Sequence, residues 1–138
     1  MKIAFGTDEH TALTAAVHAD LEARGHTVVV VDDGDWVSVG RAVGEAVAGG
    51  RCDTGVLFCW TGTGASIAAN KVPGVRAALC TDAATAAGAR TWNDANVLVM
   101  GLRLTSPEVA GEMLDAWFTT GVDPDELDVV ARVEDGPR

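Results

Sequence analysis

Cys59 closes an apolar run and opens a glycine-rich one, in the stretch FCWTGTGASIAANK of residues 58–71. A thiol is reactive as the thiolate, and its surroundings decide how readily it ionises. The TGTG turn lets successive backbone N–H groups converge on one point, and the helix start that follows adds its positive dipole end. Such a place holds an anion or a developing oxyanion. It also favours a neighbouring thiolate, available as base or nucleophile. A buried structural cysteine is the plain alternative, because a free cysteine packs as a small hydrophobe. The glycines do not spell a dinucleotide-binding GxGxxG, since the third glycine is missing, nor a P-loop, since no Gly-Lys-Ser/Thr follows.

Other residues stand where a ligand could meet them. Asp8 follows the first apolar run, either as a site carboxylate or as the N-cap of the next helix. Asn93 and Asp94 precede the fifth apolar run, where turn residues are common. Trp36 and Trp92 fall in loops, and large aromatic side chains there wall a sugar pocket or plug an interface. His18 and His26 read as surface residues, and His10 sits near the ligand edge.

The elements that must position these residues alternate in type. Residues 2–6, 27–32, 54–59, 76–80 and 96–101 are apolar strand-like runs. The β-branched run TVVVVD (27–32) predicts a strand buried on both faces, as in a parallel sheet. Helix-like segments lie between, over 9–24, 39–50, 64–71, 82–91 and 106–118. Leu13, Val17 and Leu21 share one face of the first, Asp82 caps the fourth, and Ser106 with Pro107 opens the fifth. This order predicts a three-layer α/β/α sandwich, Rossmann-like, around a five-stranded parallel sheet. Ligands in such folds sit beyond the carboxyl ends of the strands. That directs attention to residues 7–10, 32–36, 59–66, 81–82 and 101–103. Residues 1–120 read as one domain. Residues 121–138 are an acidic arm, with six carboxylates against Arg132 and Arg138. The arm is either a solvated tail or a segment packed on a neighbouring subunit, with a short helix opened by Asp123 and Pro124.

Composition narrows the classes. The chain has 138 residues, 48% hydrophobic and 22% charged, which suits one globular domain. A formal net charge of −10 argues against nucleic acid and anionic membranes as partners. No apolar run approaches the roughly 20 residues that span a bilayer, and no signal-peptide pattern precedes the first strand. The three cysteines, Cys52, Cys59 and Cys80, form no CxxC pair, which fits free thiols in a reducing cytoplasm and no zinc site.

Together these motifs resemble the ribose-5-phosphate isomerase B / galactose-6-phosphate isomerase family of sugar-phosphate isomerases. The resemblance covers residues 2–118. FCWTGTGASIAANKVPGVRAALC is similar to the family's cysteine–Gly–Thr–Gly loop, SIAANK helix and GIRA strand. IAFGTD resembles its first strand with a ligand-edge aspartate, and WNDANVLVMGLR its HND-N-L-GGR segment. The resemblance implies an aldose–ketose isomerase that works through a cis-enediolate, without metal or cofactor. It also implies a homodimer or homotetramer with active sites at the subunit interface. It assigns Cys59 as the base and Thr61 as the helper of proton movement and ring opening. The anion hole falls to the N–H groups of Gly62, Thr63, Gly64, Ala65 and Ser66. Asp8 and Asn93 match holders of sugar hydroxyls, while Arg103 and Arg132 match basic positions on the phosphate side.

The departures are specific. Trp92 stands where many members have a ring-opening histidine, and indole exchanges no proton at neutral pH. Trp36 replaces a sugar-contacting tyrosine, and Trp60 a glycine. Glu9 takes the place of a phosphate-binding histidine, and Asp128 that of a second arginine. Carboxylates at two phosphate positions repel a dianion, so the expected substrate differs from ribose 5-phosphate. An epimerase or isomerase of a specialised metabolite is the nearest alternative. A non-catalytic sugar-binding homologue is the other, weakened by the retention of Cys59, Thr61 and the glycine loop.

Overall fold

Side chains along the inner strands alternate between two cores, and this alternation creates the layers. The computed structural model describes residues 1–31 and 34–135. Its strands are β1 (Lys2–Thr7), β2 (Thr27–Val30), β3 (Thr54–Cys59), β4 (Ala77–Leu79) and β5 (Val97–Gly101). They form one sheet in the order β2-β1-β3-β5-β4, with every pairing parallel. The helices are α1 (Ala12–Ala23), α2 (Trp36–Ala48), α3 (Thr63–Asn70), α4 (Ala83–Asn93), α5 (Pro107–Thr119) and α6 (Leu127–Ala131). Ile3, Phe5, Val56, Phe58, Leu98 and Met100 face one core, shared with α1, α4 and α5. The residues between them, Ala4, Leu57, Cys59, Val97 and Val99, face a second core shared with α2 and α3. The period of two therefore fixes the side on which the Cys59 thiol emerges.

Edges are where the sequence expectation changes. β2 is an edge strand and half-exposed along Thr27–Val30, not covered on both faces. Its β-branched run is equally suited to an edge, where a strand has a neighbour on one side only. Asp32, the predicted last residue of this strand, and Asp33 lie outside the described residues. β4 forms the other edge, with β5 inserted between it and β3. There the Asn70 side chain stands in for a missing strand. Its amide donates to the Ala77 carbonyl at 2.9 Å, and its oxygen accepts the Ala77 N–H at 2.8 Å.

Helix starts follow their caps. α1 begins at Ala12, because Thr11 and Thr14 form a reciprocal capping box. Asp8 is therefore not its cap. Asp35 accepts the Ser38 N–H and starts α2 at Trp36, so Trp36 is helical and not a loop residue. Trp92 is likewise inside α4, Asn93 is its last residue, and Asp94 turns the chain at φ 44°. Asp82 and Ser106 cap α4 and α5 as expected. His26 is half-buried, not a surface residue: its ring packs 4.4 Å from that of Phe118.

Past α5 the chain makes a 3₁₀ turn over Pro124–Glu126 and enters α6. Asp123 donates its N–H to the Thr91 carbonyl at 2.9 Å, Val130 is buried, and the Glu134 carboxylate accepts the Gly74 N–H at 3.1 Å. These contacts tie residues 123–134 to the body of their own chain. Arg138, the arm's other basic residue, lies outside the described residues. Among the described residues no helix is long and apolar enough to cross a membrane.

Candidate active site

The winding reverses between β1 and β3: β2 lies on one side of β1, while β3 leads to β5 and β4 on the other. A reversal of this kind opens a crevice beyond the strand ends. Asp8 enters it from β1, and Cys59 to Gly64 enter it from β3.

Cys59 ends β3 and is only 5% exposed. Its Sγ receives the Ala65 N–H at 3.5 Å. The backbone at this point is held by the continuation of β5. Leu102 donates to the Cys59 carbonyl at 3.0 Å, and Arg103 to the Trp60 carbonyl at 2.9 Å. Gly62 is the N-cap of α3, at φ 80°, and offers no side chain to the helix. A Cβ there would strike Leu79 and would need the left-handed conformation as well. The first N–H groups of a helix have no intrahelical acceptor. Those of Thr63 and Gly64 are the first two of α3, and the missing side-chain cap leaves the third, that of Ala65, to the Cys59 sulfur. Ser66 donates to the Gly62 carbonyl at 3.1 Å, and Ala65 donates to the thiol. Of the five expected anion-hole groups, these two are engaged within the loop itself.

A pocket of about 310 Å³ opens above the thiol, lined by Asp8, Trp36, Cys59, Trp60, Thr61, Thr63 and Gly64. The Trp36 indole lies against Gly64, where an added Cβ would stand 2.8 Å from the ring. The Thr61 and Thr63 hydroxyls bond each other at 2.8 Å. Asp8 Oδ1 is buried without a hydrogen-bond partner, as no other side-chain oxygen or nitrogen is among the described residues. A buried acceptor left unpaired is costly, and a donor brought by a ligand removes that cost.

The crevice thus gathers Asp8, Trp36, Cys59, Thr61, Thr63 and Gly64. It does not gather the rest. Trp92 folds its ring over Gly88 and shares hollows beside β4 with Asn93. Glu9 and Arg103 are exposed at the same sheet end but do not line the pocket, and exposed Arg132 caps the C-terminus of α6. Trp60 is the lining residue that the sequence assigned no site role. Its signal was a large side chain inside a glycine-rich turn.

The other thiols are free but differently set. Burial, and then the charge of Asp82, raises the Cys80 pKa from 9.0 to about 11. Burial also pushes the Cys52 thiol up. Among the described residues no group of three or more His, Cys, Asp or Glu is arranged to hold a metal ion.

Known proteins share this arrangement of strands and helices. The class is that of aldose–ketose isomerases built on a Rossmann-like α/β sandwich. The Ribose/Galactose Isomerase family matches residues 3–134, and the chain belongs to that family. Ribose-5-phosphate isomerase B of Escherichia coli (strain K12) is 44% identical over 126 residues, covering 85% of this chain and 83% of that protein. Galactose-6-phosphate isomerase subunit LacB of Clostridium acetobutylicum is 38% identical over 109 residues, 75% of this chain and 63% of that one. The structure of Clostridium thermocellum ribose-5-phosphate isomerase B superposes with a TM-score of 0.92 at 36% identity, over 98% of this chain and 96% of its own.

Proposed function

We propose that the protein interconverts an aldose and its ketose, phosphorylated or free, through a cis-enediolate with Cys59 as the base. The observation that carries this reading is the meeting of three groups in one pocket. They are a strand-end thiol, the open N–H groups of an uncapped helix, and the unpaired Asp8 oxygen. In the forward direction the Cys59 thiolate takes the proton from C2 of the open-chain aldose. The C–H electron pair forms the C1–C2 double bond, and the carbonyl pair moves onto O1. Thr63 and Gly64 N–H groups stabilise that oxyanion. The Thr61–Thr63 hydroxyl pair carries the O2 proton to O1, and Cys59 returns its proton to C1, leaving the carbonyl at C2. Asp8 accepts a sugar hydroxyl. Glu9 and Asp128, both exposed carboxylates, turn preference away from ribose 5-phosphate by repelling its dianion. Three free thiols suit the reducing cytoplasm.

Trp92, Asn93, Arg103 and Arg132 belong, in this reading, to the pocket of a second copy in a homodimer or homotetramer. None of them lines the pocket of its own chain. Trp92, 60% exposed, shares an apolar groove with Val129 and Val133, which are 49% and 64% exposed. Covering that groove with another copy buries side chains that water otherwise meets. Residues 1–120 are then the catalytic domain, and 121–138 the arm beside the neighbouring subunit.

Solvent-deuterium incorporation at the carbon next to the carbonyl, across free and phosphorylated aldoses, tests the chemistry. Cys59→Ala is expected to lower exchange by roughly 10²–10⁴-fold with the fold intact. Unchanged exchange in that variant removes Cys59 as base, and sugar binding without exchange in the unaltered protein identifies a sugar-binding homologue instead. High specific activity on ribose 5-phosphate overturns the altered preference. Refolding Cys59→Ala together with Asn93→Ala tests the shared site: activity returns in mixed oligomers if Asn93 serves the partner subunit, and stays lost if it does not.

A further inference from the structure

We infer that Trp36 and Trp60 form two walls that limit the length of sugar Cys59 processes, with Trp60 as the specificity-determining residue. The inference rests on the isomerase reading above. The thiol opens into a pocket of about 310 Å³ that both indoles line. Trp36 is 43% exposed there and Trp60 55%. Both walls stand on anchored backbone. Trp36 begins α2 behind its Asp35 cap and rests on Gly64. Trp60 follows the thiol directly, on backbone held by the Leu102 and Arg103 N–H groups.

A reacting carbon must sit at Cys59 Sγ, and the buried Asp8 oxygen accepts a donor inside the same pocket. The substrate is thereby fixed near its carbonyl, and the remaining carbons must run out past the indoles. Their flat faces suit the C–H side of a short carbon chain. Each further carbon has to displace a ring or turn away from it. The pocket therefore selects short sugars over longer homologues.

The test uses erythrose, ribose and allose, each free and as the terminal phosphate. These share the configuration of the hydroxyls next to the carbonyl and differ in length. Deuterium incorporation gives kcat/KM for the unaltered protein, Trp60→Gly and Trp60→Phe. One extra carbon in an apolar pocket discriminates by roughly 10–200-fold. The unaltered protein is expected to favour ribose over allose by about tenfold or more, within whichever series it turns over. Trp60→Gly should shift that ratio toward unity, and Trp60→Phe should keep most of it. The half-exposed side chain contributes little to the core, and circular dichroism of each variant checks this. An unaltered protein that takes allose as well as ribose overturns the inference, and so does a ratio unmoved by Trp60→Gly. Absence of exchange with every one of these sugars fails the isomerase reading itself, a result distinct from an unmoved ratio.

Discussion

Cys59 and Cys80 occupy equivalent places in two β/α units, at the carboxyl end of a parallel strand and ahead of a turn that opens a helix. Both are buried, at 5% and 1% exposure. The contrast lies in the helix N-caps. Asp82 caps α4 by accepting the Thr85 N–H at 2.7 Å, which takes the third N–H of the helix and adds a negative charge beside Cys80. That charge works with burial to raise the thiol pKa to about 11. Gly62 caps α3 with no side chain, and the Ala65 N–H is turned to the Cys59 sulfur. A strand end alone does not make a cysteine chemical. The uncapped helix turns its third N–H to the Cys59 sulfur, and the capped one gives the equivalent N–H to Asp82.

The largest effect should come from erasing that difference at α3. Gly62→Asp gives α3 the cap that α4 has, and Gly62→Ala imposes the same backbone demand without the carboxylate. Both variants must hold a non-glycine residue at φ 80° and move Leu79, which costs on the order of 1–3 kcal/mol for the backbone alone. A cap built as in α4 draws the Ala65 N–H from the Cys59 sulfur and sets a carboxylate beside the Thr63 and Gly64 N–H groups. Weakened oxyanion stabilisation lowers rates by about 10²–10³-fold, so Gly62→Asp should lose about that much deuterium exchange, and more than Gly62→Ala. Melting temperatures identify any variant that fails by unfolding. Folded Gly62→Asp protein with full exchange would show that the open helix end is not what serves Cys59.

That same contrast explains which features were legible in the sequence. The alternation of FCWTGTGASIAANK with its flanking runs, and the glycine at a turn that no other residue fits, are local signals. They exposed both the strand end and the glycine turn that opens α3. Strand order is a long-range property: nothing in residues 76–101 states that β5 inserts between β3 and β4, yet that order sets where the crevice opens. Helix starts failed where two cap candidates stood close together. Thr11 outcompeted Asp8 because Thr14 completes a box with it, and this left Asp8 free for the pocket. Trp92 looked like a loop residue because an indole is unusual on an exposed helix. Gly88, one turn back, leaves room for the ring to lie over the helix. Trp60 escaped assignment because it and Trp36, distant in sequence, come together only in the pocket they both line.

A smaller effect belongs to Cys80 and appears at high pH. Its folded pKa is raised from 9.0 to about 11, so the native thiol stays protonated where the unfolded one ionises. The stabilisation is fully present below the unfolded pKa and is lost as pH rises through the interval from 9.0 to about 11. At about 1.4 kcal/mol per pKa unit, the loss across that interval is on the order of 2–3 kcal/mol. Urea midpoints measured across it should fall less steeply for Cys80→Ala than for the unaltered protein, since alanine has no proton to lose. Parallel slopes would mean that the Cys80 thiol is not the titrating group. Exchange activity at neutral pH is expected to be insensitive to this substitution, in contrast to Cys59→Ala.

The smallest effect separates the cap of α4 from its charge. Asp82→Asn keeps a side-chain oxygen for the Thr85 N–H, and asparagine caps about as well as aspartate. Stability at neutral pH should therefore change little. Two other readings should move. Cys80 loses the second of the two causes that raise its pKa, so its ionisation, followed by thiolate absorbance, should shift down modestly while burial keeps it above 9.0. On the acid side, hydrogen bonds to the Thr85 hydroxyl and N–H hold the Asp82 carboxyl below the usual range. That contribution is present above the unfolded carboxylate pKa and is lost as pH falls through the folded one. Asp82→Asn should accordingly show a shallower decline in melting temperature between about pH 4 and pH 3. A thiol pKa at Cys80 that does not move would assign its whole shift to burial, and the contrast with Cys59 would then rest on the Ala65 N–H at its sulfur alone.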